Sequence, residues 1–401
     1  MRNSIAVAYS GVHQAYQLAL AVEELGELDQ FYCSFFAGTG KWGRVLAHAL
    51  DSKILMSRQV AGLSAAKIAE NPWPLFAHHC RTRLMPKTAN DWIGANGWFD
   101  RWVARRLRQS GCSVFVGVET CAAKSFAVAR DRGIVRVLDC PGIDTDFLNT
   151  RASEAADQFG LRSASMTDRP EMSERKRREI QLADAIFVCS EFQARLLKTA
   201  AKPAKGIHVL PLWADTSFWR PVEKRTSRAR SLKVLFAGKI NVRKGVPYLL
   251  RAASSCGESM ALTLVGPVDD EIRPLLSRYE GKFELLPPCT KTELRRHYRD
   301  HDLLVLPSLG DSFGFVAMEA MACGLPVIVT DSCGVPVPDP SWRVPTMQSD
   351  ALARRIALYC TDRSLSQAHG LIAVEFARQF TPARYRENVK KIFRTILPLA
   401  A

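Results

Sequence analysis

Along this chain, short apolar runs alternate with longer stretches in which apolar positions recur every three or four residues. These are the periods of buried strands and one-sided helices. Residues 4–9 are mostly apolar and lead into Ser10 and Gly11. Ala15, Leu18, Ala19, Val22 and Leu25 then follow at helical spacing as far as Gly26. The pattern predicts a strand, a loop and a helix. A second strand is expected at 31–36. Residues 37–95 show no clean period, because Asn71-Pro72-Trp73-Pro74, Gly94 and Gly97 interrupt the helical patches. Order returns with a stripe of Trp98, Phe99, Trp102, Val103 and Leu107, which is expected to pack on a sheet. Strands follow at 113–118, 134–138, 185–188 and 207–210, with helices at 122–131, 174–183 and 191–199.

Residues 220–231 are polar and basic, with Arg220, Lys224, Arg225, Arg228 and Arg230, and make the best linker candidate. Beyond them the alternation restarts. Strands are expected at 233–237, 261–265, 303–306 and 327–330, with a short segment at 283–286. Helices are expected at 247–254, 270–279, 291–298 and 315–323, and a last one at 382–397 after all the strands. Two rounds of alternation in 401 residues predict an α/β chain of two doubly wound parallel sheets, over 1–215 and 216–380, with 381–401 as a terminal helical segment. Ligands bind such sheets at the carboxyl ends of the strands, so the site belongs in the cleft between the two domains.

Composition narrows the classes. Hydrophobic residues at 47% and charged residues at 24% exclude a disordered or coiled-coil chain. No apolar run reaches the ~18 residues of a membrane span, and 4–9 is too short for a signal-peptide core. The 11 cysteines include no Cys-x-x-Cys pair, so a cytoplasmic chain with free thiols is expected. Nothing in the spacing calls for a metal. The net charge of +15 points to an anionic partner.

The chemistry concentrates in 303–329, which reads as strand, Gly-flanked loop, helix, glycine stop and strand. Gly310 and Gly314 let the backbone approach a ligand. The free N–H groups of Phe315 and Val316 at the helix start suit a phosphate or sugar oxygen. Asp311 in the loop and Glu319 in the helix are two carboxylates that can each accept from two hydroxyls of a polyol.

That segment resembles the Glu-x7-Glu motif of retaining GT-B glycosyltransferases of family 4. Asp311 stands at the first acidic position, Ser312 at the following glycine and Glu319 at the second acid. Gly238-Lys239 and Lys244-Gly245 are similar to the family's Gly-Arg…Lys-Gly loop. Val209-Leu-Pro211-Leu-Trp213-Ala-Asp215 resembles its domain junction, and Asp302 with Pro307-Ser308 its Ala-Asp…Leu-Pro-Ser strand. The resemblance implies a GT-B fold whose terminal helix crosses back to the first domain. It implies a nucleoside-diphosphate sugar as donor and a carbohydrate or glycolipid acceptor, with no cofactor and no metal.

On the donor side it implies roles for Gly238, Lys239, Lys244, Cys289, Asp311, Gly314, Phe315, Val316 and Glu319. Lys239 and Lys244 would neutralise the diphosphate, and Asp311 would orient the sugar. Gly11, His13 and Asp139 would serve the acceptor side. Polysaccharide, lipopolysaccharide or glycolipid synthesis is the expected setting. A sugar-nucleotide 2-epimerase and a non-catalytic sugar-nucleotide-binding protein remain as alternatives. Arg101, Arg105 and Arg108, with Arg175-Lys176-Arg177-Arg178, form a candidate face for an anionic membrane surface, on the inner leaflet. Nucleic acid is not expected, since no binding motif for it appears.

Overall fold

The computed structural model describes residues 3–12, 14–37, 41–42, 58–84, 92–161, 170–200, 203–221 and 231–397. His13 and most of the expected linker, 222–230, lie outside them. In the first half, the β-rich runs form β1 (Ile5–Tyr9), β2 (Leu28–Cys33), β3 (Ile68–Glu70), β4 (Val114–Val118), β5 (Val135–Cys140), β6 (Ala185–Val188) and β7 (Ile207–Val209). They pair in parallel in the order β3-β2-β1-β4-β5-β6-β7. Helices α1 (Gln14–Glu24), α2 (Trp73–Leu84), α3 (Trp92–Leu107), α4 (Ala123–Asp131), α5 (Thr145–Phe159), α6 (Pro170–Leu182) and α7 (Glu191–Ala200) connect them.

The second half repeats the plan. Strands β8 (Leu232–Ala237), β9 (Met260–Val265), β10 (Glu284–Leu286), β11 (Leu303–Leu306), β12 (Val327–Thr330) and β13 (Arg343–Val344) lie in the order β10-β9-β8-β11-β12-β13. Helices α8 (Val246–Cys256), α9 (Arg273–Arg278), α10 (Lys291–Asp300), α11 (Phe315–Ala322), α12 (Ser349–Thr361) and α13 (Ser364–Ala377) follow. Strand order reverses at β1/β4 and at β8/β11, which are the crevices where such sheets take ligands.

The last helix, α14 (Pro382–Ile396), returns to the first half. Arg386 and Lys390 reach Glu24 of α1 at 2.7 and 2.9 Å, and Phe393 meets Phe187 of β6 edge-on at 5.6 Å. Its approach runs beside the earlier crossing between the halves, where Ala214 N donates to Phe380 O at 3.3 Å.

Several expectations need correction. β2 starts at Leu28 rather than residue 31, since Leu28 lies opposite Ile5. β5 continues through Cys140, so Asp139 lies within the strand. Of the apolar stripe on α3, Phe99, Val103 and Leu107 are buried, but Trp98 is 41% exposed. Helix α5 was not predicted. Asp144 caps its start by accepting from Phe147 N, and left-handed Gly160 ends it. Its buried face is mostly alanine, Ala152, Ala155 and Ala156, so it lacks a stripe of large apolar side chains.

Candidate active site

The second crevice gathers most of the expected donor-side residues. Between β11 and α11 the chain turns through Gly314, with φ of 72°. A Cβ there would lie 2.8 Å from Cys333 Sγ, so glycine alone fits this N-cap. The Phe315 and Val316 N–H groups have no acceptor among the described residues. The positive end of α11 therefore opens at the crevice. Asp311 shapes the turn by accepting from Gly314 N at 2.8 Å and Phe313 N at 3.3 Å through Oδ1. Its other oxygen lies 2.5 Å from Lys244 Nζ. Burial alone would lower the Lys244 pKa, but the adjoining Asp311 carboxylate raises it.

Lys239, after β8, extends its ammonium to Asp269 at 2.9 Å. Gly266 lets the next loop lie against this one, since a Cβ there would sit 1.9 Å from Gly238 O. Inside α11, burial pushes the Glu319 carboxyl up to about 7, against the Tyr298 hydroxyl and the charge of Lys291. Tyr298 donates to it at 3.2 Å. Cys289 is a half-buried free thiol in the β10–α10 loop.

Across the cleft, Asp139 is 4% exposed, and its Oδ2 accepts from Gln14 Nε2 at 3.1 Å. Burial raises its pKa to about 7; the Gln14 hydrogen bond opposes the rise and Glu119 adds to it. Gly11 packs under the Tyr9 ring, which a Cβ would approach to 2.7 Å, and Arg58 donates to its carbonyl at 3.4 Å. The Cys189 thiol is pushed up by burial, then by the charges of Asp139, Glu119 and Asp311. Carboxylates from both halves thus act electrostatically on one buried thiol. The halves touch: Arg243 donates to Asn149 of α5 at 3.0 Å, and a Cβ on Gly310 would lie 2.8 Å from Leu148 Cδ2.

Half of the basic run of α6 is covered: Arg175 and Lys176 face carboxylates, while Arg177 and Arg178 are exposed. Arg175 pairs with Asp100 at 3.3 Å and lies 3.6 Å from Glu179. Lys176 lies 3.5 Å from Glu119, and Arg177 lies near Asp146 and Glu174. Glu179 and Asp100 in turn occupy the start of α4. Glu179 accepts from Thr120 N, Ala122 N and Ala123 N at 2.5–3.1 Å, and Asp100 from Lys124 N and Ser125 N at 2.8 and 2.9 Å.

Gln14, Tyr298, Asn241 and Asp269 were not anticipated. Each acts through a contact distant in sequence, and single polar residues carry no periodic signal.

A two-domain parallel α/β fold with an open helix end and paired lysines at one crevice is the GT-B architecture. Residues 231–362 match the family Glycosyl transferases group 1. The chain is 33% identical over 171 residues to D-inositol 3-phosphate glycosyltransferase of Mycobacterium sp. (strain KMS), covering 39% of each. It is 30% identical over 226 residues to the Mycobacterium leprae (strain TN) protein of that name, covering 52% of this chain and 50% of the relative. The matches thus span half or less of these relatives' length. Over nearly the whole chain, the fold is similar to that of sucrose-phosphate synthase from Thermosynechococcus elongatus. The TM-score is 0.65 at 17% identity, over 98% of this chain and 99% of that one. Anabaena Alr3699/HepE in complex with UDP-glucose is also similar, with a TM-score of 0.56 at 14% identity over 97% and 98%.

Proposed function

We propose that the protein is a retaining glycosyltransferase similar to family 4, moving a sugar from a nucleoside-diphosphate donor to an acceptor hydroxyl. The observation that carries this reading is the convergence at one crevice of Lys239, Lys244 and the uncapped N-terminus of α11, with Glu319 one turn further in. Positive charge fixed in advance where a leaving diphosphate gains charge lowers the barrier directly. Glu319 holds the donor ribose, Asp311 orients the donor sugar, and Asp139 serves the acceptor hydroxyl from the opposite wall. The leaving phosphate takes the acceptor proton, so no nucleophilic side chain is needed. The UDP-glucose named with the Anabaena protein and the inositol phosphate named with the mycobacterial relatives support a nucleotide-sugar donor and a polyol or sugar acceptor. Thermal shift with UDP-, GDP- and ADP-sugars tests the donor. Acceptor-dependent release of free nucleoside diphosphate then tests transfer, while release of diphosphate without acceptor would favour a 2-epimerase.

We further propose that the first half meets an anionic lipid surface along α3, bringing the cleft to a lipid-linked acceptor. Trp98, Arg101 and Arg105 on it, and Arg108 in the turn just beyond, are exposed at three- and four-residue spacing, which puts the helical three on one side. No helix of the described residues is long and apolar enough to cross a membrane. Each such arginine contributes ~1 kcal/mol at an anionic surface, within a Debye length of ~8 Å. The protein is expected to sediment with phosphatidylglycerol vesicles at low salt, to release at high salt and to ignore phosphatidylcholine. Equal binding to both lipids, or to neither, sinks the idea.

A further inference from the structure

A single polar chain threads the two lysines. Lys239 Nζ lies 2.9 Å from Asp269 Oδ1. Asn241 Nδ2 donates to the second Asp269 oxygen at 3.1 Å, and Lys244 N donates to Asn241 Oδ1 at 2.9 Å. Lys244 Nζ then meets Asp311, which binds the turn before α11. The backbone fixes the two loops together: Ile240 N donates to Pro267 O at 2.8 Å and Asp269 N to Ile240 O at 3.1 Å.

The two ends of the Lys239–Asp269 pair differ in freedom. The carboxylate is anchored by Asn241 and by a loop tied at two backbone points, and its side chain is 22% exposed. The lysine side chain is 54% exposed and rotates about a flexible four-carbon stem. Whatever anion enters, the lysine is the part that moves. A carboxylate held beside a bound diphosphate repels it, and that repulsion is felt as long as the anion stays. Asp269 has no part in the donor contacts proposed above, unlike Asp311.

We infer that Asp269 is a returning counter-ion. It gives up Lys239 to the entering diphosphate and takes it back as the diphosphate leaves, which weakens product binding and speeds release. This rests on the donor-site reading. The test is calorimetric titration of UDP, GDP and ADP into the wild-type chain, Asp269→Asn, Lys239→Ala and the double variant, with dissociation followed by stopped flow. Asparagine keeps the shape and the Asn241 contact but removes the charge. The diphosphate that the wild type binds should bind Asp269→Asn roughly three- to tenfold tighter and leave correspondingly slower. The gain should shrink with salt and be smaller in the Lys239→Ala background, where only the direct repulsion is relieved and no lysine is competed for. A merely structural role predicts the opposite sign. Unchanged or weaker binding to Asp269→Asn, with normal wild-type binding, overturns the counter-ion alone. Wild-type failure to bind any of the three diphosphates overturns the donor site and this inference with it.

Discussion

Both halves build the same strand–loop–helix element at their switch points, β4–α4 and β11–α11, and they finish the helix differently. At α4 the protein's own carboxylates, Glu179 and Asp100, take the free N–H groups, and Arg175 balances their charge. At α11 the cap is a glycine without a side chain, and the Phe315 and Val316 N–H groups have no acceptor among the described residues. A helix end is an anion site by construction. Here one such end is filled internally and the other has no internal acceptor among the described residues. Of these two ends, the α4 end is therefore closed to an outside anion by the protein's own carboxylates and the α11 end is not.

Removing the filler should break the contrast most strongly. Glu179→Ala leaves three N–H groups without their acceptor and weakens the charge balance of Arg175, so it should cost about 3–5 kcal/mol of stability. Denaturant unfolding would read the loss, and an unchanged midpoint would mean that the plug is not structural.

Asp139 gives the next effect. Its folded-state pKa of about 7 lies above its ordinary value, so the folded chain holds this proton between about pH 4 and 7 when the unfolded chain has released it. Stability from this group is full in acid and is lost as pH rises towards 7. Asp139→Asn should flatten that slope by about 2 kcal/mol between pH 5 and 7, with thermal melting as the measure.

On the ligand side, Glu319→Gln and Lys244→Ala should leave melting near wild type while weakening donor binding roughly tenfold or more. In the proposed donor site, ribose hydroxyls donate to Glu319 in its ionised form, and its carboxyl is raised to about 7 by burial. Donor affinity should therefore rise with pH through neutrality in the wild type and lose that rise in Glu319→Gln. Wild-type calorimetry in both variants would detach these residues from the donor.

The smallest expected change is none. With lysines and a helix end supplying positive charge, turnover should survive EDTA. Loss of turnover restored by Mg²⁺ or Mn²⁺ would refute the charge assignment.

The open end was legible in the sequence because its signals are local. Gly310, Asp311, Gly314 and Glu319 fall within one short strand-turn-helix stretch, and β11 and β12 have strong apolar runs. The filled end was not legible, because Glu179 and Asp100 reach α4 from helices 57 and 25 residues away in sequence. Helix α5 escaped for another reason. Its buried face offers mainly small side chains rather than a stripe of large apolar ones, although Asp144 and Gly160 mark its two ends. The basic run of α6 misled because charge in a sequence does not reveal whether a carboxylate already faces it. Arg175 and Lys176 are largely covered by acidic partners.

The return of α14 means that the chain passes between the halves twice, side by side at Ala214 and Phe380, with Trp213 and Tyr385 rings 4.6 Å apart beside the join. A single tether would let the two halves tumble through many orientations, each an entropy loss to be repeated whenever the cleft forms. Two adjoining passes act like the two pins of a door. They leave the halves fewer relative orientations than one tether would, so less entropy is lost in holding the two cleft walls together.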